Sequence, residues 1–182
     1  AQNDYASVET YLGRAGKAGI SYSQIRTELA TLRLSMGRGE EAIAILEELT
    51  TSHPGELLPF ALLANLEAQA GNLVEAGAYL SSTQFSQTTD HQILFLAAQA
   101  YHTMGDGEAM QLMMQRCLQA QPGFVPALES MASYLSSQKN LEGSLYYAKQ
   151  LLTHDPANFT ANFSLGLHHQ VNGERKLAKD AY

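Results

Sequence analysis

The chain has only one cysteine, Cys117, in 182 residues, and eleven lysines and arginines against eighteen aspartates and glutamates. A single thiol excludes an intrachain disulfide framework and any metal site built from several cysteines, and it suits a reducing or an oxidising compartment equally. The basic residues form no cluster, and a net charge of −7 argues against a surface for nucleic-acid phosphates. Long apolar runs are missing as well. The longest uncharged stretches hold Asn, Gln, Ser and His, so no membrane-spanning helix fits. The alternation of Val, Ile and Thr that marks strands is also absent. There is no starting Met, so Ala1-Gln2-Asn3 reads as a new end, left by signal-peptide removal or by a cut. Lys179-Asp180-Ala181-Tyr182 stops inside a helical pattern without Gly, Pro or a cap. The chain is therefore expected to be a piece of something longer, with cytoplasm and periplasm or export both open.

What is present is a repeat. Hydrophobic residues make up 45% and charged ones 16%, a globular composition. Gly37, Gly71, Gly105 and Gly173 are spaced by 34 residues or a multiple of it, with Lys139 in the one vacant place. Seven residues earlier stand Ala30, Ala64, Ala98, Ala132 and Gly166. Five residues after the glycine stand Ala42, Ala76, Met110, Ser144 and Ala178. Pro54, Pro122 and Pro156 form a fourth register, with Thr88 as its exception. Each has a physical reason. The glycine suits the left-handed turn that ends a helix. Small residues let two helix axes approach to the usual ~8–10 Å. Proline cannot continue a helix and so closes the second one. Apolar stripes such as Leu29, Leu32 and Met36, then Ile43, Leu46 and Leu49, fill the helical period between them.

The reading predicts helix pairs at about 23–36/39–52, 57–70/73–84, 91–104/107–120 and 125–138/141–154, and a shortened pair at 159–172/174–182. As repeats these occupy 23–56, 57–90, 91–124, 125–158 and a truncated 159–182, after a leading second helix in 1–22. In that leading helix Gly13, Gly16 and Gly19 each weaken the structure by ~1 kcal/mol relative to Ala.

Alternating small residues, a loop glycine and a terminal proline in one 34-residue phase resemble the tetratricopeptide repeat (TPR) family over about 3–182. Of the bulky aromatic expected early in the first helix only Phe60 conforms, among Arg26, Leu94, Leu128 and Asn162. Of the later tyrosine only Tyr101 does, among Arg33, Glu67, Leu135 and His169. The resemblance implies an all-α, right-handed superhelical solenoid of antiparallel helix pairs. It also implies a concave wall of first helices that binds an extended peptide or a partner helix.

Carried over residue by residue, that wall holds Thr27, Thr31 and Leu34, then Ala61, Asn65, Ala68 and Gln69. It continues through Phe95, Gln99 and His102, then Glu129, Ser133 and Ser136, and ends with Phe163, Leu167 and Gln170. Asn65, Gln69 and Gln99 are candidates to hydrogen-bond a peptide backbone, since an amide donates and accepts at once. Phe95 and Phe163 are candidate apolar anchors, with packing of Phe95 on a neighbouring helix as the alternative. The Lys-Asn-Arg clamp by which some TPR members grip a terminal carboxylate is matched by Asn65 alone. A groove without cations does not repay desolvation of that group.

Chemistry finds little footing. His168 and His169 point about 100° apart on a helix, which disfavours a shared metal. Cys117 falls in a small-residue place and reads as a buried, inert thiol. Met104, Met110, Met113, Met114 and Met131 read as core filling, and Tyr146-Tyr147 as a pair with one member exposed. Arg26 and Arg33 are expected to be exposed, or paired with acids such as Asp4 or Glu9. No catalytic residue, metal or cofactor is assigned. The expected function is a protein-interaction scaffold for a protein or peptide partner, with neither nucleic acid nor direct membrane insertion. The alternative is a spacer or assembly segment of a longer array, self-associating through uncapped ends or joined to a catalytic domain outside this piece.

Overall fold

The computed structural model describes residues 21–181; the expected leading helix, with Asp4 and Glu9, lies outside the described residues. The described residues hold ten α-helices and no strand: α1 Tyr22–Ser35, α2 Gly39–Ser52, α3 Leu57–Ala70, α4 Leu73–Leu80, α5 His91–Met104, α6 Gly107–Ala120, α7 Val125–Ser137, α8 Leu141–His154, α9 Phe159–Val171 and α10 Arg175–Ala181. The fold class is all-α, built from antiparallel helix pairs. The boundaries follow local chemistry. Ser21 opens α1 with a capping box, its hydroxyl accepting from the Gln24 N–H at 3.1 Å while Gln24 Oε1 accepts from the Ser21 N–H at 3.2 Å. Asp90, Asp106, Asn140 and Asn158 cap α5, α6, α8 and α9 in the same spirit.

The turn between the two helices of a pair is left-handed at one residue each time. Gly37, Gly71, Gly105 and Gly173 have φ of 73°, 87°, 81° and 77°, and Lys139 adopts the same conformation at φ 61°. The exception in the sequence is thus no exception in the backbone.

One element departs from expectation. The second helix of the second pair was expected to reach residue 84, yet α4 stops at Leu80 and a 3-10 turn, Thr83–Ser86, follows. Hydroxyls explain the early stop. Ser81 Oγ donates to the Ala78 carbonyl at 2.7 Å, and Ser82 Oγ accepts from the Gln84 N–H at 3.3 Å. Such local bonds offer the backbone an alternative to the next helical turn. Phe85, in the 3-10 turn, is buried.

The chain divides into two compact units, one up to Gln87 and one from Thr88. In the first, α1 pairs with α2, α3 packs on α2, and α4 pairs with α3. Its core is Ala30, Ala42, Ile45, Leu46, Leu49 and Leu63. Arg33 is 1% exposed here, and its buried charge is met by Glu41, whose Oε2 lies 3.4 Å from its Nε. Arg26 is paired with Glu48, which also accepts from the Tyr22 hydroxyl at 3.0 Å. The expectation of acidic partners holds, and among the described residues they come from α2.

In the second unit α5 pairs with α6, α7 with α8 and α9 with α10, and successive pairs stack through α6 on α7 and α8 on α9. Leu94, Ala98, Met110, Met114, Cys117, Ala127 and Met131 form one core, and Leu128, Ala132, Ala148, Leu151 and Ala161 the next. Met110, Met114 and Met131 fill space as expected. Ser144, in a place held by alanine elsewhere, is buried and satisfied. Its hydroxyl donates to the Ala132 carbonyl at 2.9 Å and meets Ser164 Oγ at 3.0 Å.

Candidate functional site

The face singled out by the sequence lies on α1 and α3 in the first unit and on α5, α7 and α9 in the second. On α3, Asn65 is half-buried and Gln69 exposed, and Gln69 Nε2 donates to Asn65 Oδ1 at 2.9 Å. The two amides stand one helical turn apart and hold each other in place. Thr27, Ala61 and Ala68, placed on the same face by register, are buried and present nothing to a ligand.

In the second unit the first helices form a wall held by side-chain contacts from one to the next. Phe95 of α5 meets Phe124, the N-cap residue of α7, edge to face at 5.3 Å, and His91 meets the same ring at 4.9 Å. His102, exposed, lies edge to face with Tyr134 of α7 at 5.9 Å. Glu129 of α7 accepts from Asn158 Nδ2 at 2.6 Å, and Asn158 caps α9. Phe163 of α9 stacks on Phe159 at 6.1 Å and is 45% exposed. Gln99 and Leu167 are half-buried and Ser133 is exposed.

The structure thus gives these residues two kinds of work. Phe95 takes the alternative left open by the sequence and packs on a neighbouring helix, as part of the rim of the Leu94–Met131 core. Glu129 orients the cap of the next helix. Gln99, His102, Ser133 and Leu167 keep surface toward solvent, and their wall carries donors and acceptors with little charge. Sequence reasoning missed Phe124, the residue that joins α5 to α7. The signal was available in its place in the 34-residue period, directly before each first helix.

Outside the wall, Cys117 is fully buried, its Sγ donating to the His91 carbonyl at 3.2 Å. Burial, with a smaller contribution from Asp90, pushes its thiol from 9.0 up to about 11. Such a group is poor as a nucleophile. His168 Nε2 lies 3.3 Å from Glu142 Oε1, and His169 Nδ1 lies 2.5 Å from Glu174 Oε2, so the adjacent histidines serve different partners. Among the described residues no three of His, Cys, Asp and Glu converge as a metal site, and no helix is long and apolar enough to cross a membrane. Tyr146 is 63% exposed and lies edge-on to Tyr147 at 5.0 Å. The pair borders a shallow dent of about 330 Å³ between α6 and α8, shared with Gln115, Gln119 and Gln150.

No family model matches the sequence, and no curated protein matches it. Solved structures do match the fold. MamA superposes with a TM-score of 0.70 at 16% identity, over 84% of this chain and 89% of that one. YrrB, described as a TPR protein with an unusual peptide-binding site, gives 0.66 at 13% identity, over 93% and 88%. The fold is that of the tetratricopeptide repeat. PilW, a widely conserved type IV pilus biogenesis factor, shares the TPR fold at a TM-score of 0.51 and 18% identity, over 87% and 90%. At these identities the likeness is one of fold. It agrees with the register of small residues and left-handed turns, which is the physical content of the TPR hairpin in this chain.

Proposed function

We propose that the protein is a non-catalytic interaction scaffold that holds an extended segment of a partner protein along its first-helix wall. One observation carries this reading: in the second unit Gln99 and His102 of α5 and Ser133 of α7 line successive first helices as hydrogen-bonding groups. The wall's one carboxylate among the candidate residues, Glu129, is engaged by Asn158. A wall of this kind matches the alternating donors and acceptors of a peptide backbone better than it matches a charged motif. Leu167 and the exposed part of Phe163 supply apolar contact beside it. On α3 the linked pair Asn65 and Gln69 offers the same chemistry. The likeness to a TPR protein named for its peptide-binding site supports the reading at the level of fold.

The test is selection of a displayed random peptide library on the immobilised protein, followed by fluorescence anisotropy with the selected peptides. Gln99→Ala combined with Ser133→Ala is expected to weaken binding by roughly tenfold, two neutral hydrogen bonds being lost. Equal affinity for both proteins, or a library that yields no binder, overturns the proposal.

A further inference from the structure

The second helices α6 and α8 are neighbours in the second unit, and a shallow trough of about 330 Å³ lies between them. Such a volume falls at the lower end of the range for ligand sites. Its deeper part is Leu118 and Tyr147. Both are half-buried and border both apolar cores of this unit, so packing holds them in place. Around them stand Gln115, Gln119, Gln150 and the ring of Tyr146, which is 63% exposed. Among the described residues, neither phenol and none of the three side-chain amides has a hydrogen-bond partner in the chain. An open tyrosine beside a fixed floor suits a protein-binding surface, because one ring offers a large contact area at little conformational cost.

The chemistry of the trough selects its occupant. Among the described residues no charged side chain lines it, although the chain carries a net charge of −7. A charged segment would lose water there with no countercharge to meet it. The polar groups are three amides and two phenols, and every one of them can donate. Their natural acceptors are backbone carbonyls not already bonded within a helix or sheet, and a polyproline II helix presents all of its carbonyls in this way. Proline has no N–H, so it needs no acceptor in return. Shape agrees. From Gln115 to Pro122 the α6 side extends roughly 10 Å, at about 1.5 Å per helical residue. One polyproline turn rises roughly 9 Å. Tyr146 and Tyr147 meet at 83° with centroids 5.0 Å apart, forming a corner for a pyrrolidine ring rather than a flat platform. Depth agrees too. A shallow site yields little contact to offset the ordering of a floppy segment, whereas a polyproline helix is ordered before it binds.

We infer that this trough is a separate peptide site, taking an uncharged, proline-rich segment of a partner protein in the polyproline II conformation. Tyr146 and Pro122 pack against its rings, and Gln115, Gln119 and Gln150 donate to its carbonyls. The site stands on second helices, so it is independent of the first-helix wall and of the segment proposed to bind there.

Fluorescence anisotropy with labelled decaproline tests it, beside a labelled Gly-Ser peptide of equal length, on wild type, Tyr146→Ala and Gln115→Ala/Gln119→Ala. The three side chains are exposed, and circular dichroism checks that each variant keeps its helices; Tyr146→Ser and Gln115→Ser/Gln119→Ser replace any that does not. Wild type is expected to bind decaproline saturably and the Gly-Ser peptide roughly tenfold or more weakly. Tyr146→Ala is expected to weaken decaproline binding roughly tenfold through loss of the ring contact. The double amide variant is expected to weaken it about as much, two neutral hydrogen bonds being lost. Decaproline that fails to bind up to millimolar concentration overturns the proposal and leaves the trough to another uncharged ligand, such as a glycan. Equal affinity for the two peptides overturns it as well, since conformation would then not be what is recognised. So does a Tyr146→Ala chain that binds decaproline like wild type. The Gln99→Ala/Ser133→Ala chain is expected to keep wild-type affinity for decaproline; weakening there would put the peptide on the wall and overturn the separate site.

Discussion

Lys139 shows how a backbone requirement outlasts the residue that usually meets it. Its φ of 61° lies in the region where an L side chain crowds the next carbonyl, at roughly 1–2 kcal/mol. The glycines in register at Gly37, Gly71, Gly105 and Gly173 meet that requirement without the crowding, and open space surrounds the place where a Cβ would sit. The penalty is therefore one of backbone conformation alone. Lys139→Gly is expected to raise the urea midpoint by the equivalent of about 0.5 kcal/mol, after the entropy that glycine returns to the unfolded chain. Gly105→Ala is expected to lower it by about 1 kcal/mol, with the slope of the transition unchanged in both. Cys117 makes a second prediction at this scale. Buried, hydrogen-bonded and with its thiol pushed up to about 11, it is expected to resist iodoacetamide in the native protein at neutral pH and to react once urea unfolds the chain. Rapid labelling of the folded protein would contradict this burial.

At the scale of elements, the joints between pairs depend on residues that do two things at once. Asn158 Oδ1 accepts from the Ala161 N–H at 3.0 Å, capping α9, while its Nδ2 donates to Glu129 of α7. Asn158→Ala removes both bonds and is expected to cost about 1–3 kcal/mol in denaturant unfolding. Asn158→Asp keeps the cap but sets two carboxylates against each other, so it is expected to destabilise at neutral pH. Adding Glu129→Gln restores a donor, and the double variant is expected to recover most of the loss. No recovery would show that the cap alone matters. Gly107, the first residue of α6, makes a different kind of joint. A Cβ there would fall 2.1 Å from the Tyr134 hydroxyl, so Gly107→Ala is expected to displace Tyr134 from its contact with His102. Loss of stability and a changed near-ultraviolet dichroism would report it.

Over the whole molecule, charge and burial act with the same sign at high pH. Cys117, Tyr101 and Tyr147 in the second unit and Tyr79 in the first all have pKa values raised above their ordinary ones, in each case chiefly by burial. A raised acid keeps its proton in the folded state after the unfolded chain has lost it. The stability it contributes is complete below the unfolded value and fades as pH rises through the folded one. The window opens near pH 9, where an unfolded thiol ionises, and widens as tyrosines follow above 10. The net charge, −7 at neutral pH, grows more negative over the same range and adds self-repulsion. The thermal midpoint is therefore expected to hold through neutral pH and to fall progressively above about pH 9. A midpoint that stays level to pH 11 would remove burial of these groups as a source of stability.

Much of the architecture was legible because period and side-chain size carry it. A small residue every 34 positions can only serve close helix crossings, and a left-handed turn needs a residue such as glycine at one place. These local demands placed the helix pairs before any contact was known. The early stop of α4 escaped because competing serine hydroxyls act through bonds to particular backbone groups, which period does not express. Arg33 escaped in part for a related reason: its charge argued for a partner, but Glu41 as that partner depends on how α1 leans on α2. The candidate wall divides in the same way. Sequence by itself determined the pairing of helices and the face on which Phe95 and Phe163 stand. Tertiary structure alone decided that Phe124 engages the first, whereas Phe159 stacks on the second as its neighbour one turn away on the same helix. Register sets the direction of a side chain, but what lies opposite comes from residues about thirty positions away, and only packing brings those into view.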